Sequence, residues 1–181
     1  MPPRETIEQK AQSLLDELAI TTFPVPVDRI ARELGAQMRF QPLDEELSGM
    51  VYIKDNIPII GVNALHHPHR QRFTISHEIA HLRMHREMIS NAVHVDKTFD
   101  VAMLRRDSKS AQGTERIEIE ANQFAAALLI PLKYLTSVLT TASSDIDDER
   151  PLEEWARKFK VSKAMLHYRI RNVTLETSGK K

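Results

Sequence analysis

Residues 72–85 read RFTISHEIAHLRMH, and how this stretch folds decides how the rest of the chain is read. Ile75, Ile79, Ala80 and Leu82 give it the apolar content of a helix that packs inside a protein, yet it also carries His77, Glu78, His81 and His85. On an α-helix His77 and His81, four residues apart, lie one turn above the other on one face. Glu78 is turned about 100° away from His77. Two imidazoles so placed can share one metal ion, while the carboxylate stays outside the ligand set but within reach of a water beside it. The alternative is a chance H-E-x-x-H on a surface helix, with His81 merely packed or solvated. The apolar setting favours a site that faces something buried.

The chemistry calls for these residue types. A peptide carbonyl is a poor electrophile and neutral water a poor nucleophile. Zn²⁺ polarises the first and lowers the pKa of a bound water to about 7. A glutamate can take the proton from that water and pass it to the leaving amine. Imidazole also suits Fe, Ni and Cu, so residue type alone does not select the metal. A catalytic zinc usually takes three protein ligands. His85 lies eight residues past His77, about 12 Å along a straight helix, too far to share an ion with it. It reads instead as a structural residue or a support behind the ligands. A second strong helical stretch, TERIEIEANQFAAALLIP, offers Glu115, Glu118 and Glu120. Ile117, Ala121, Phe124 and Leu128 make its buried stripe, with Glu120 at one margin and Glu118 near the other. Spacing does not choose between them, and a solvated acidic face is the ordinary alternative.

Around these two helices the chain is ordinary for a globular protein. Its 181 residues are 41 % hydrophobic and 28 % charged, with zero net charge when histidines are neutral. That balance is not the footprint of a nucleic-acid binder. There is no cysteine, which excludes disulfides, thiolate ligands and a cysteine nucleophile. Cysteine-free composition fits a cytoplasmic location. Neither a signal peptide nor a span of about 18 apolar residues is expected. Residues 5–19 follow helical spacing, Pro24 and Pro26 break it, and a short helix follows that Gly35 closes. Three strand-like pieces come next, AQMRF, SGMVYI and IPIIGV, the last two joined at Lys54-Asp55-Asn56. The central helix is expected from about Pro68 to Met88. Residues 89–113 read as a loop with one short strand, and Pro131 should end or kink the second helix. The order predicts a mostly helical α+β domain. A small, largely antiparallel sheet should pack on the H-E-x-x-H helix and the second, Glu-bearing helix. Residues 1–140 read as this domain, 141–151 as an acidic linker, and 152–181 as a helical hairpin with a frayed end.

Taken together, RQRFTISHEIAHLRMH and EIEANQFAAALLIP resemble the two signatures of the ImmA/IrrE family of metallopeptidases. VPVDRIARELGAQMRF, LSGMVYI and IIGVN resemble it in order and spacing, over roughly residues 7–135. Ile79-Ala80 departs from the family's frequent large apolar residue and glycine, and Arg83-Met84 from its apolar pair. The resemblance implies a zinc endopeptidase with His77, His81 and Glu120 as ligands and Glu78 as catalytic base. It also implies a protein substrate, typically a helix-turn-helix repressor, whose loss switches on genes of a mobile element, stress response or toxin–antitoxin locus. The alternative is a DNA-binding or antitoxin-like regulator with a structural or vestigial metal site.

Three further features stay open at this level. Tyr52, Arg72 and His85 are candidates for stabilising an oxyanion. SGMVYI is either an edge strand that could take a substrate segment by strand addition or an ordinary strand. PLEEWARKFKVSKAMLHYRIRNV resembles a helix-turn-helix, with Ser162 as a cap, Lys160 where glycine is frequent, and six basic residues between Arg157 and Arg171. A hairpin packed on the protease core is favoured over a DNA-reading or substrate-docking tail. The histidines of HHPHR, residues 66–70, read as a loop and helix start rather than a second metal site.

Overall fold

The computed structural model describes residues 4–89, 94–97, 113–142 and 150–178. The first helix, α1 (Arg4–Glu17), buries Ile7, Ala11, Leu14 and Leu15, as its spacing dictates. α2 (Val27–Glu33) ends in Gly35, whose φ of 78° suits a residue without a Cβ. Four strands follow: β1 (Gln37–Gln41), β2 (Leu47–Lys54), β3 (Ile57–Asn63) and, later in the chain, β4 (His94–Lys97). Asp55 and Asn56, with φ of 50° and 64°, form the two-residue hairpin turn between β2 and β3. Positive φ at both central residues matches the twist of the paired strands.

The sheet order is β1-β3-β2-β4. β2 runs antiparallel to both β3 and β4, while β1 pairs parallel with β3. β4 pairs with β2 from Leu47 to Val51, so that part of SGMVYI lies inside the sheet and is not an open edge for strand addition. Asn63, at the end of β3, is buried, and its side-chain amide donates to the carbonyls of Leu43, Asp44 and Leu47. It thus fixes the connection into β2.

The central helix α3 runs from Pro68 to Met84, with His67 as its N-cap. It stops short of Met88: His85 ends it and α4 (Arg86–Ile89) follows. The second helix, α5, spans Gly113–Leu129, and Pro131 separates it from α6 (Leu132–Ala142). α3 lies between β2 and β3 on one side and α5 on another, with α2 also packed on it. Every residue from Phe73 to Leu82 is consequently buried. A helix covered all round needs no amphipathic stripe, which is why 72–85 shows none.

The C-terminal helices α7 (Arg150–Phe159) and α8 (Lys163–Ser178) meet at Lys160, whose φ is 53°. Ser162 caps α8, its hydroxyl accepting from the Met165 amide at 3.1 Å. α8 is helical to Ser178, the last described residue. Ala156, Phe159, Val161, Met165 and Leu166 belong to the same buried cluster as α1, α3 and α5. Arg169 is only 5 % exposed; it donates to the Ile130 carbonyl at 3.1 Å and pairs with Glu8 of α1. Phe23 joins this end through Tyr134 and Phe159, with ring centroids 4.6 and 5.4 Å away. Most of the acidic linker, 143–149, lies outside the described residues. No described helix is long and apolar enough to cross a membrane.

Candidate metal centre

The helical spacing of His77 and His81 places both rings on the face of α3 that meets α5. Their Nε2 atoms lie 2.9 Å apart, and the residues are 1 % and 0 % exposed. The carboxylate that joins them belongs to Glu118. One of its oxygens is 3.1 Å from His77 Nε2 and the other 3.4 Å from His81 Nε2. Ligand atoms bonded at 2.0–2.1 Å to a tetrahedral zinc stand about 3.3 Å apart. Two imidazoles and a carboxylate at these separations fit a divalent ion in donor type and in spacing. Among the described residues they are the group of His, Cys, Asp or Glu side chains that could hold one. Glu118 keeps a side-chain exposure of 29 %, so the group opens to solvent on the α5 side.

Glu120, expected as the third ligand, does not face these nitrogens. Its Oε1 accepts from Arg116 Nε at 2.9 Å, and its Oε2 lies 3.3 Å from His85 Nε2. The reason is the rotation of α5. Glu118, Ala121, Asn122 and Ala125 follow i, i+3, i+4, i+7 spacing and make the stripe that meets α3. Both alanines are fully buried, and their small size lets the two helices approach. Asn122 Oδ1 is 2.7 Å from His77 Nδ1, four residues on from the carboxylate. Glu120 is displaced by about 200° from Glu118 around the helix. The sequence did carry a signal for Glu118, this stripe of small residues with a polar residue at each turn. It was obscured because α5 also buries Ile117, Phe124 and Leu128.

His77 Nδ1 donates to Asn122 Oδ1, which leaves its Nε2 as a lone pair for a metal. His85 stands behind His81: their Nδ1 atoms are 3.2 Å apart. Burial lowers the His85 pKa, outweighing the opposite pull of Glu120 and Glu118, and keeps the ring neutral near pH 7. For Glu120, burial works against the charged form, but hydrogen bonds from Arg116 and His85 prevail and hold its pKa below the ordinary value.

Glu78 is fully buried, one residue from His77, where β2 crosses α3. Gly49 makes that crossing possible: a Cβ there would sit 2.3 Å from Thr74 Cγ2, 2.8 Å from the Gly61 carbonyl and 3.4 Å from Glu78 Oε1.

The three oxyanion candidates have other positions. Arg72 donates to the Val25 carbonyl at 2.9 Å, and burial lowers its pKa. His85 is turned to the rear of His81. Tyr52 is three residues beyond Gly49 on β2, hence on the opposite face of the sheet from Glu78. In HHPHR, His67 Nδ1 accepts from the His69 amide and His66 lies against Asn63 and the Glu45 carbonyl, the arrangement of a loop and helix start.

No curated protein matches the chain. The fold is similar to that of a Mycobacterium tuberculosis transcriptional regulator, with a TM-score of 0.61 and 20 % identity over 91 % of this chain. The chain spans 55 % of that protein's length. A peptidase family model, described as the IrrE N-terminal-like domain, matches residues 31–171 and so takes in the H-E-x-x-H helix, Glu118 and most of the C-terminal hairpin. The chain therefore belongs to the IrrE N-terminal-like family of metallopeptidases.

Proposed function

We propose that this protein is a zinc-dependent endopeptidase that acts in the cytoplasm on a protein substrate, foremost a helix-turn-helix transcriptional repressor, and thereby derepresses genes. The observation that carries the reading is the convergence of His77, His81 and Glu118 beside the buried carboxylate of Glu78. A divalent ion held there supplies Lewis-acid polarisation of a peptide carbonyl and a more acidic water. Glu78 accepts the proton of the attacking water and returns it to the departing amine nitrogen. Asn122 holds the His77 ring in its orientation, and Glu118, the most exposed of the set, marks the side from which a peptide approaches. A base next to the ligands is superfluous in a closed structural site, so Glu78 favours hydrolysis.

The test is zinc analysis combined with cleavage of a co-expressed helix-turn-helix repressor, comparing wild type with Glu78→Gln. The variant should retain zinc and lose cleavage; equal cleavage by both would refute the role of Glu78. A DNA-binding regulator with a vestigial site is the second reading, favoured by the similarity to a protein described as a transcriptional regulator. Against it stands Arg169, which is engaged with Glu8 and the Ile130 carbonyl rather than presented to a phosphate backbone.

A further inference from the structure

A cavity of about 380 Å³ lies where the first turns of α3, the last turn of α5 and the start of α8 meet. That volume falls in the range of sites for small organic molecules, about 300–1,000 Å³. Arg70, on its polar side, is two turns before His77, about 10 Å along α3, so the cavity is distinct from the metal group. Phe73 touches both: it lines the cavity, and its ring centroid is 6.3 Å from that of His77.

The lining has two characters. Phe73, Leu129 and Met165 supply an apolar wall, while Arg70, His69 and Ser162 supply donors. Arg70 Nη2 donates to Ser48 Oγ at 2.9 Å, which fixes the guanidinium, yet its Nε is buried without a hydrogen-bond partner among the described residues. A buried N–H of a charged group is costly to leave unpaired, so an acceptor oxygen is favoured beside it. The Ser162 hydroxyl accepts from the Met165 amide and keeps its own proton to donate. The electrostatics here have one sign. α3 and α8 both begin at the cavity, and the start of a helix carries partial positive charge. Burial lowers the His69 pKa, and the basic His67, Arg72 and Lys160 lower it further. No carboxylate lines the cavity among the described residues.

We propose that this cavity binds a small organic anion, a carboxylate on an aliphatic body, with the carboxylate against Arg70 and Ser162 and the body along Phe73, Leu129 and Met165. Cation and donors alone would suit an inorganic anion, and the wall alone a neutral oil; their junction selects a molecule that is both. The site stands independently of what the metal centre hydrolyses.

The test is calorimetric titration of the zinc-loaded full chain with three probes: octanoate, octan-1-ol and inorganic phosphate. Octanoate should bind one to one, and each of the others at least about 10-fold more weakly, since each lacks one half of the match. Arg70→Met, which keeps the bulk and removes the charge, should weaken octanoate about 10–100-fold and leave octan-1-ol unchanged. Leu129→Trp, which fills the cavity, should abolish binding of both. Glu118→Ala should leave octanoate binding within about twofold of wild type, because the two sites share no side chain. Methyl NMR locates the ligand without any substitution: octanoate should shift the Met165 methyl and not that of Met84, near the far end of α3. Octan-1-ol binding as tightly as octanoate would mean an apolar packing gap and overturn the proposal, as would full octanoate affinity in Arg70→Met. Octanoate binding that is lost in Glu118→Ala, with Met165 unmoved, would place the carboxylate on the metal and overturn it too. Tighter binding of a blocked leucyl-aspartyl peptide than of octanoate would overturn it in favour of a pocket for substrate side chains.

Discussion

Gly49→Ala is the substitution that most directly probes how the fold holds its carboxylate. The added methyl would lie 2.3 Å from Thr74 Cγ2 and 2.8 Å from the Gly61 carbonyl oxygen. Carbon atoms in contact prefer about 3.5–4.0 Å, so β2 and α3 must separate by roughly 1.2 Å or distort locally. Neither side can yield cheaply. β2 is paired on both edges, and Thr74 is fully buried in a helix covered all round. Overpacking of a tight core costs about 1–3 kcal/mol, and this contact belongs at the upper end. Against a total stability of roughly 5–15 kcal/mol, a loss near 3 is large but leaves a folded population. Glu78 travels with α3, and a misplacement of about 1 Å at a reacting group can slow a reaction about 100-fold. Urea unfolding of the metal-free protein reads the first effect, and repressor cleavage at saturating Zn²⁺ the second. Adding Thr74→Ser removes the 2.3 Å contact and keeps the 2.8 Å one, so the double variant should regain part of the stability lost. If Gly49→Ala unfolds within about 0.5 kcal/mol of wild type, the close crossing of strand and helix is not what holds this site.

Glu118→Ala should weaken Zn²⁺ binding more than about 100-fold, beyond the loss expected from Glu120→Ala, which removes a support and not a ligand. Chelator competition on the two variants ranks them, and the reverse order would restore Glu120 as ligand. Arg169→Ala should cost about 2–3 kcal/mol in urea unfolding, because it leaves Glu8 and the Ile130 carbonyl without their donor. A neutral outcome would show that α8 is not anchored there. Acid should destabilise the metal-free protein in two stages. The folded pKa of His85 lies below 6.5, so its contribution is complete above that value and declines as pH falls beneath it. Glu120, held below 4.5 in the fold, contributes above that value and is lost as pH falls through its lowered folded pKa. Urea midpoints taken from pH 8 to pH 4 should stay level to about pH 6.5 and then descend, less steeply in His85→Phe; a wild-type protein more stable at pH 5.5 than at 7.5 would contradict this.

What the sequence alone determined here is local. His77 and His81 share a face because an α-helix repeats every 3.6 residues, and no tertiary contact is needed to say so. Gly35, the Asp55-Asn56 turn, the break at Pro131 and the Ser162 cap are likewise consequences of a few adjacent backbone angles and one side chain each. Tertiary structure decided which carboxylate meets the histidines. Glu118 and Glu120 sit on the same helix in the same register, and only the rotation of α5, set by Ala121 and Ala125 packing on α3, turns one inward and the other to His85. The parallel pairing of β1, the enclosure of β2 by β4 and the burial of α3 on all sides belong to the same category. Each depends on segments distant in sequence, and side-chain spacing within one element records how that element can turn but not what it turns toward.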